Sequence, residues 1–378
     1  MSEYQYYEFV SIDQPLTLTQ QQELRALSTR ARITSSSFVN DYQWGNLKGD
    51  PQTWMERYFD AFLYLTNWGT QRIALRLPVN VLSPDIVAKY CVGGSARSWS
   101  TRTHVILDLL SEDEDSDEVY DGGGHLAAIL PARTELAAGD RRLLYLAWLL
   151  CVQGRELDDD EPEPPVPPGL GNLSGPLHAL VEFLRLDPDL LAVAAETSPP
   201  LHEKAPSTSA LSRWVKTLPE SEKDKIVLRL LSGDHTHLRS ELLRRFNGTT
   251  PEDLTGGGRT AGELLTSAEK RWAHRQQLAR QRDAAERKHR EQAAAAAREQ
   301  HLNALAGRQE QVWQQVAAMI ETKKPKEYDA AVALMADLKA LAERGSDTVT
   351  FRRRMRQLRE RHARKPSLLD RLNRAGLG

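Results

Sequence analysis

The chain has 378 residues, 40% of them hydrophobic, with 50 Lys and Arg against 52 Asp and Glu. That is room for two or three domains and enough apolar content to bury a core. The longest apolar run, 143–152, is about half of what a bilayer span needs. The opening MSEYQYYEF has neither a basic nor an apolar leader region, so the expectation is a soluble, cytoplasmic protein with no membrane partner.

The near-zero net charge conceals a split. From Arg259 onward there are 26 Lys and Arg against 15 Asp and Glu, leaving 24 and 37 before it, so the two parts carry roughly +11 and −13. Opposite charge on two parts points to contact between them or to separate partners for each. Cys91 and Cys151 lie in apolar surroundings without metal-ligand spacing, which argues against a disulfide framework and fits a reducing cytosol.

In chain order, residues 4–12 alternate as a strand, Thr19 caps a helix to about 28, and 37–44 reads as a second strand. Pro51 is well placed to begin a helix through about 65. The segment 71–77 (QRIALRL) alternates as a strand, 84–90 is a short helix and 103–110 (THVILDLL) a further strand. Strands alternating with helices predict a small α/β sandwich. The acidic run 112–124 (EDEDSDEVYDGGG) lacks the spacing of an EF-hand loop and reads as solvated. Residues 138–153 form a buried helix, and Arg141 and Arg142 beside Asp140 are accounted for by a local ion pair.

Residues 158–175 (DDDEPEPPVPPGLGNLSG) predict an extended, exposed linker, and 176–246 a set of short amphipathic helices. A long helix follows over about 259–322, with Thr260 and Glu263 spaced as a capping box and Pro325 as its stop. At 1.5 Å per residue it would reach on the order of 90 Å. Residues 279–301 carry no large apolar side chain, so a coiled-coil seam is missing there and the helix reads as a solvated strut or a tether. Apolar residues return at Leu302, Leu305, Val312, Trp313, Val316, Met319 and Ile320, and that end is expected to pack on the tail.

The fold class is therefore α+β. It comprises an α/β domain over 1–155, a linker over 156–175 and a helical domain over 176–255. A long charged helix over 256–322 and a basic helical hairpin over 323–378 complete it.

His235 and His237 are the only close histidine pair and lack the convergent third and fourth ligands that zinc requires. The aromatics Tyr42, Trp44, Trp54, Tyr58, Phe59, Phe62, Tyr64 and Trp68 fit a helix core face, with Trp54, Tyr58 and Phe62 on one side. A base-stacking platform is the competing reading, but the acidic front half would repel phosphates. Nucleotide-loop, nucleophile-elbow and zinc-protease signatures are missing, and no cofactor is expected.

The strongest signal is 351–365 (FRRRMRQLRERHARK). Arg352, Arg353, Arg354, Arg356, Arg359, Arg361, Arg364 and Lys365 spread around most of a helix, while Phe351, Met355, Leu358 and His362 hold one face. Such a helix binds either phosphates, with a steep salt dependence, or an acidic protein surface, this chain's own included.

The tail 323–378 resembles the C-terminal helical-repeat tail of bacterial proteins that carry a SWIM-type zinc finger, and of uncharacterised companions of such proteins. The matching positions are Pro325, Tyr328, Ala331, Val332, Leu334, Leu338, Phe351, Leu358, the 361–365 run, Leu368, Leu369, Leu372 and Gly376. The stretch 135–149 and the opening SEYQYYEF are similar to the companions. The finger itself needs CxC and CxH pairs that two cysteines 60 positions apart do not supply. The resemblance thus implies a companion, associating with protein or nucleic acid, with a SWIM-type protein as one possible partner. The leading expectation is a non-enzymatic adaptor with a spacer helix and a tetratricopeptide-like tail. The alternatives are a nucleic-acid accessory using the arginine helix, and an enzyme with scattered residues in the α/β domain.

Overall fold

The computed structural model describes residues 4–113, 123–201, 207–232, 237–247 and 258–377. The elements of the first half are β1 (Gln5–Val10), α1 (Leu18–Leu27), β2 (Arg32–Ile33), β3 (Ser37–Tyr42), α2 (Pro51–Arg57), β4 (Ala61–Thr66), β5 (Thr70–Pro78), α3 (Pro84–Val87), β6 (Ala96–Ser100) and β7 (His104–Glu112). Helices follow: α4 (His125–Ile129), α5 (Pro131–Ala137), α6 (Arg142–Gln153), α7 (Gly175–Phe183), α8 (Pro188–Ala195), α9 (Thr208–Thr217), α10 (Glu220–Leu231) and α11 (Leu238–Asn247). The last five are α12 (Ala261–Ala306), α13 (Gln309–Glu321), α14 (Pro325–Arg344), α15 (Thr348–Arg361) and α16 (Pro366–Arg374). The chain is α+β, as its patterning indicates. It divides into two compact units, 1–274 and 275–378.

The strands of the first unit form one sheet in the order β2-β3-β1-β4-β5-β7-β6, with every neighbouring pair antiparallel. One face sets Phe9 against Phe38 and Phe62 and is covered by Leu24 of α1 with Trp54 and Met55 of α2. The other face, carrying Leu63, Leu65, Ile73, Leu75, Leu107 and Leu109, packs on α4 to α8 around Trp148. Each such side chain stabilises by roughly 1.5–3 kcal/mol on leaving water.

Because β4 is buried on both faces, AFLYLT reads as an unbroken apolar run, which periodicity alone does not separate from a helix. The helix expected over 51–65 accordingly ends at Arg57, and Phe62 and Tyr64 belong to β4. What fixes the break is Asp60, whose wholly buried carboxylate accepts the N–H groups of Ile12 (2.6 Å) and Asp13 (2.8 Å) and the Arg76 guanidinium (2.8 Å). A helix through this point would forfeit all of these bonds. The cap of α1 is Thr17, boxed with Gln20, and not Thr19. The short edge strands β2 and β6 went unforeseen because two and five mostly polar residues leave little period to read.

The segment 156–175 departs most from expectation. Glu163, Pro164, Val166, Pro167, Leu170 and Leu173 are buried. The Tyr90 hydroxyl donates to the Pro165 carbonyl (2.8 Å). Glu163 accepts two bonds from Arg259 (2.7 and 3.0 Å) and one from the Tyr145 hydroxyl. Arg259 also donates to the Val193 carbonyl (2.9 Å) and the Thr197 hydroxyl (2.7 Å). The acids at 158–161 do stay in water, but the prolines pack as core, because a residue without an N–H can be buried with one polar group fewer to satisfy. Arg142 pairs with Asp140 at 2.6 Å, as its spacing suggests, and also reaches the Asn172 carbonyl (3.0 Å).

The root of α12 sits in the same core through Ala261, Leu264 and Ala268, with the expected Thr260–Glu263 capping box formed. Gly262 lies there because a Cβ would come within 2.9 Å of the Asp159 carbonyl oxygen. Residues 277–301 are all exposed, so the long helix is solvated as well as long. It is not continuous to 322: it stops at Ala306, and α13 begins after Gly307 and Arg308. No described helix is long and apolar enough to cross a membrane. Residues 114–122 of the acidic run, His235, Gly256 and Gly257 lie outside the described residues.

Replacing Glu163 by Gln leaves Arg259 without its counter-charge, and a broken buried pair of this kind costs on the order of 3 kcal/mol. Urea unfolding of the full-length protein is expected to show that loss in the transition of the first unit. A loss below about 1 kcal/mol would contradict the assignment of this segment to the core.

Candidate functional site

The second unit gathers four helices, α13 to α16, around Val316, Ile320, Tyr328, Ala331, Met335, Met355, Leu368 and Leu372. The expected packing of the apolar end of the strut on the tail is present. It is made by α13 against α14, with α16 added to the two-helix hairpin that the sequence suggested. Asp337 of α14 meets His301 of α12 at 2.8 Å and also pairs with Arg298. Within α15 the expected apolar face turns inward: Met355 and His362 are buried, and Phe351 and Leu358 are half-buried. Burial and the nearby Lys365 hold the His362 imidazole below its ordinary range.

The eight cations singled out from sequence fall into two groups. Arg354, Arg359 and Lys365 are engaged internally. Arg354 pairs with Glu310 (2.8 Å) and lies over the Trp313 ring (5.7 Å). Arg359 donates to Asn373 Oδ1 (2.8 Å) and the Leu377 carbonyl (3.4 Å). Lys365 Nζ donates to the Ile320 carbonyl (2.9 Å), where a cation suits the end of α13. Arg352, Arg353, Arg356, Arg361 and Arg364 are exposed and have no partner among the described residues.

The unpaired arginines do not share one face. Arg352 and Arg356, one helical turn apart, flank a groove of about 500 Å³ between α14, α15 and the chain end. Half-buried Phe351 supplies most of its apolar surface over a floor of the buried Met355 and Leu377, Lys339 and Arg359 add cations, and Glu343 and Glu360 interrupt them. Arg361 borders a second groove with Trp313, Leu358 and His362 on the other flank of α15. Arg364 stands beside Lys323 and Tyr328 at a third. Sequence reasoning found the cations but missed Lys339 and the groove, which depend on how α15 lies against α14.

The first unit holds a second concentration of charge. Arg133 of α5, almost wholly buried, donates to Asp13 (2.6 Å) and to the Arg76 carbonyl (2.8 Å), and His237 meets the same Asp13 oxygen at 3.0 Å. Burial alone would raise the Asp13 carboxyl, but the bonds from His237 and Arg133 outweigh it and hold the group well below the usual carboxylate range. Burial and the Arg76 guanidinium keep His104 below its ordinary range. These groups are turned on one another, bracing the sheet, α5 and the start of α11 together. His237 thus serves as an anchor, and no cluster able to hold a metal occurs among the described residues.

Both cysteines are free, and burial pushes Cys91 up to about 12 and Cys151 up to about 11, so they are protonated thiols at neutral pH. Of the aromatics singled out from sequence, Trp54, Tyr58, Phe59 and Phe62 are buried in the core with Phe9 and Phe38, Tyr42 and Tyr64 are half-buried, and Trp44 and Trp68 are exposed, contrary to a core role for those two.

Comparison with protein-family models, curated proteins and solved structures finds no match for this chain.

A carboxyl depressed in the folded state contributes stability that is complete above its unfolded value, near 3.9, and is lost as the pH falls through its folded value. Stability of the full-length protein is therefore expected to decline below about pH 4, and Asp13→Asn to lower stability at neutral pH while flattening that decline. Denaturant unfolding at several pH values checks it. An unchanged acid limb in the variant would show that the Asp13 bridge carries none of this dependence.

Proposed function

We propose that this protein is a non-enzymatic, cytoplasmic adaptor that docks an acidic protein partner on the arginine-bearing helix α15 of its C-terminal unit. The observation that carries this reading is the set of five arginines that form no ion pair among the described residues. Three further cations of the same run are consumed in building the unit. Cations left exposed beside an apolar groove suit a protein surface, where carboxylates and apolar side chains alternate. The exposed Val227, Leu228, Leu230 and Leu231 of α10 supply the first unit with an apolar surface of its own, as an adaptor requires. The tail's resemblance makes a bacterial SWIM-type zinc-finger protein the first partner to try.

Binding to nucleic acid is the second reading. It is favoured by Arg353, Arg361 and Arg364, which stand unpaired outside the main groove and are free to meet phosphates. The two readings separate in a tagged pull-down of the full-length protein from its native host, with and without nuclease. A variant carrying glutamate at Arg352, Arg353, Arg356, Arg361 and Arg364 serves as control. The adaptor reading expects a defined protein that survives nuclease and is lost in the variant. Loss of all captured material with nuclease would transfer the function to nucleic acid. A protein held equally by the variant would remove α15 from the account.

A further inference from the structure

The groove beside Arg352 and Arg356 carries a narrower inference, resting on the adaptor reading. We infer that it receives an acidic amphipathic helix of a partner protein, whose apolar side chains sit on Phe351 above the buried Met355 and Leu377 and whose carboxylates meet Arg352 and Arg356.

Four observations lead there. The groove is preformed, since Lys339 donates to the Gly376 carbonyl (3.0 Å) and Arg359 to the Leu377 carbonyl, which fixes residues 376–377 as one wall. A volume of about 500 Å³ accepts a few large side chains. Arg352 and Arg356 stand four positions apart on α15, where like charges repel, and neither forms an ion pair among the described residues. Carboxylates one turn apart on a second helix match this spacing, because both rows repeat at roughly 5–6 Å. Finally, Glu343 and Glu360 also line the groove. They would repel the unbroken charge of a phosphate backbone, whereas a helix with separated acids can place neutral or basic residues against them. An apolar stripe laid into a groove between helices is an established way for one protein to read another.

The probe is a degenerate pool of labelled peptides of about five helical turns, with Leu, Ile or Phe at helix-spaced positions flanked by Asp and Glu. Its binding to the full-length protein is followed by fluorescence polarisation at two salt concentrations. The comparisons are a pool of the same composition with scrambled order, and a single-stranded DNA of equal charge. The amphipathic pool is expected to bind, and Arg352→Glu with Arg356→Glu to weaken it about tenfold or more. Arg353→Glu with Arg361→Glu, also exposed but outside the groove, is expected to change it less than about twofold. Failure of the amphipathic pool to bind better than the scrambled pool, or an equal loss in both double variants, would overturn the inference. So would competition by the DNA at equal charge. The adaptor reading fails separately: a partner captured from the host and still held by the Arg352→Glu/Arg356→Glu variant would leave an adaptor whose partner docks elsewhere.

Discussion

The carboxylate of Glu163 is the point on which the first unit turns. Its side chain is wholly out of water, and it answers Arg259 with two bonds and the Tyr145 hydroxyl with a third. Tyr145 belongs to the helix that covers the sheet, Glu163 to the proline-rich segment, and Arg259 to the residues that open α12. Three parts of the chain are thereby held at one charge, which is tolerable in a low dielectric because both carboxylate oxygens accept hydrogen bonds. The bonds from Arg259 to the Val193 carbonyl and the Thr197 hydroxyl extend the clasp to α8. The long helix therefore starts from a root held in the core.

This root gives the exposed part of α12 its meaning. A helix with side chains in water along 277–301 gains nothing from burial there, so it relies on strong helix formers and on what anchors each end. At one end Ala261, Leu264 and Ala268 are buried; toward the other, His301 and Arg298 meet Asp337. The C-terminal unit then divides the labour of its basic residues. Some close helix ends or stack on Trp313, and the remainder face outward in numbers that the unit's own acids do not match. Charge left unanswered in a fold that elsewhere answers its buried charges is the physical basis for assigning α15 to a partner.

Much of this was legible in the chain itself. The strands at β1, β3, β5 and β7 show alternation or β-branched content, the capping box at Thr260 and Glu263 is a local pattern, and the basic run needs only counting. What escaped reading depends on contacts distant in sequence. β4 looked like the continuation of a helix because the bonds that end α2 come from Ile12, Asp13 and Arg76. The proline-rich segment looked solvated because Arg259, nearly a hundred residues on, is what permits Glu163 to be buried. At the candidate site the cations were visible, but which of them are spent internally was not. That distinction rests on Glu310, Asn373 and the carbonyls of Ile320 and Leu377, which no spacing rule brings together.

The most direct test is hydrogen–deuterium exchange on the full-length protein, alone and saturated with the protein captured through its C-terminal unit. The account expects added protection over 339–359. It also expects the amides of Glu163, Gly169, Leu170 and residues 261–268 to be slow in both states, since the clasp is already closed. Protection confined to the first unit, with 339–359 exchanging as before, would contradict the assignment of α15 and its groove as the docking surface.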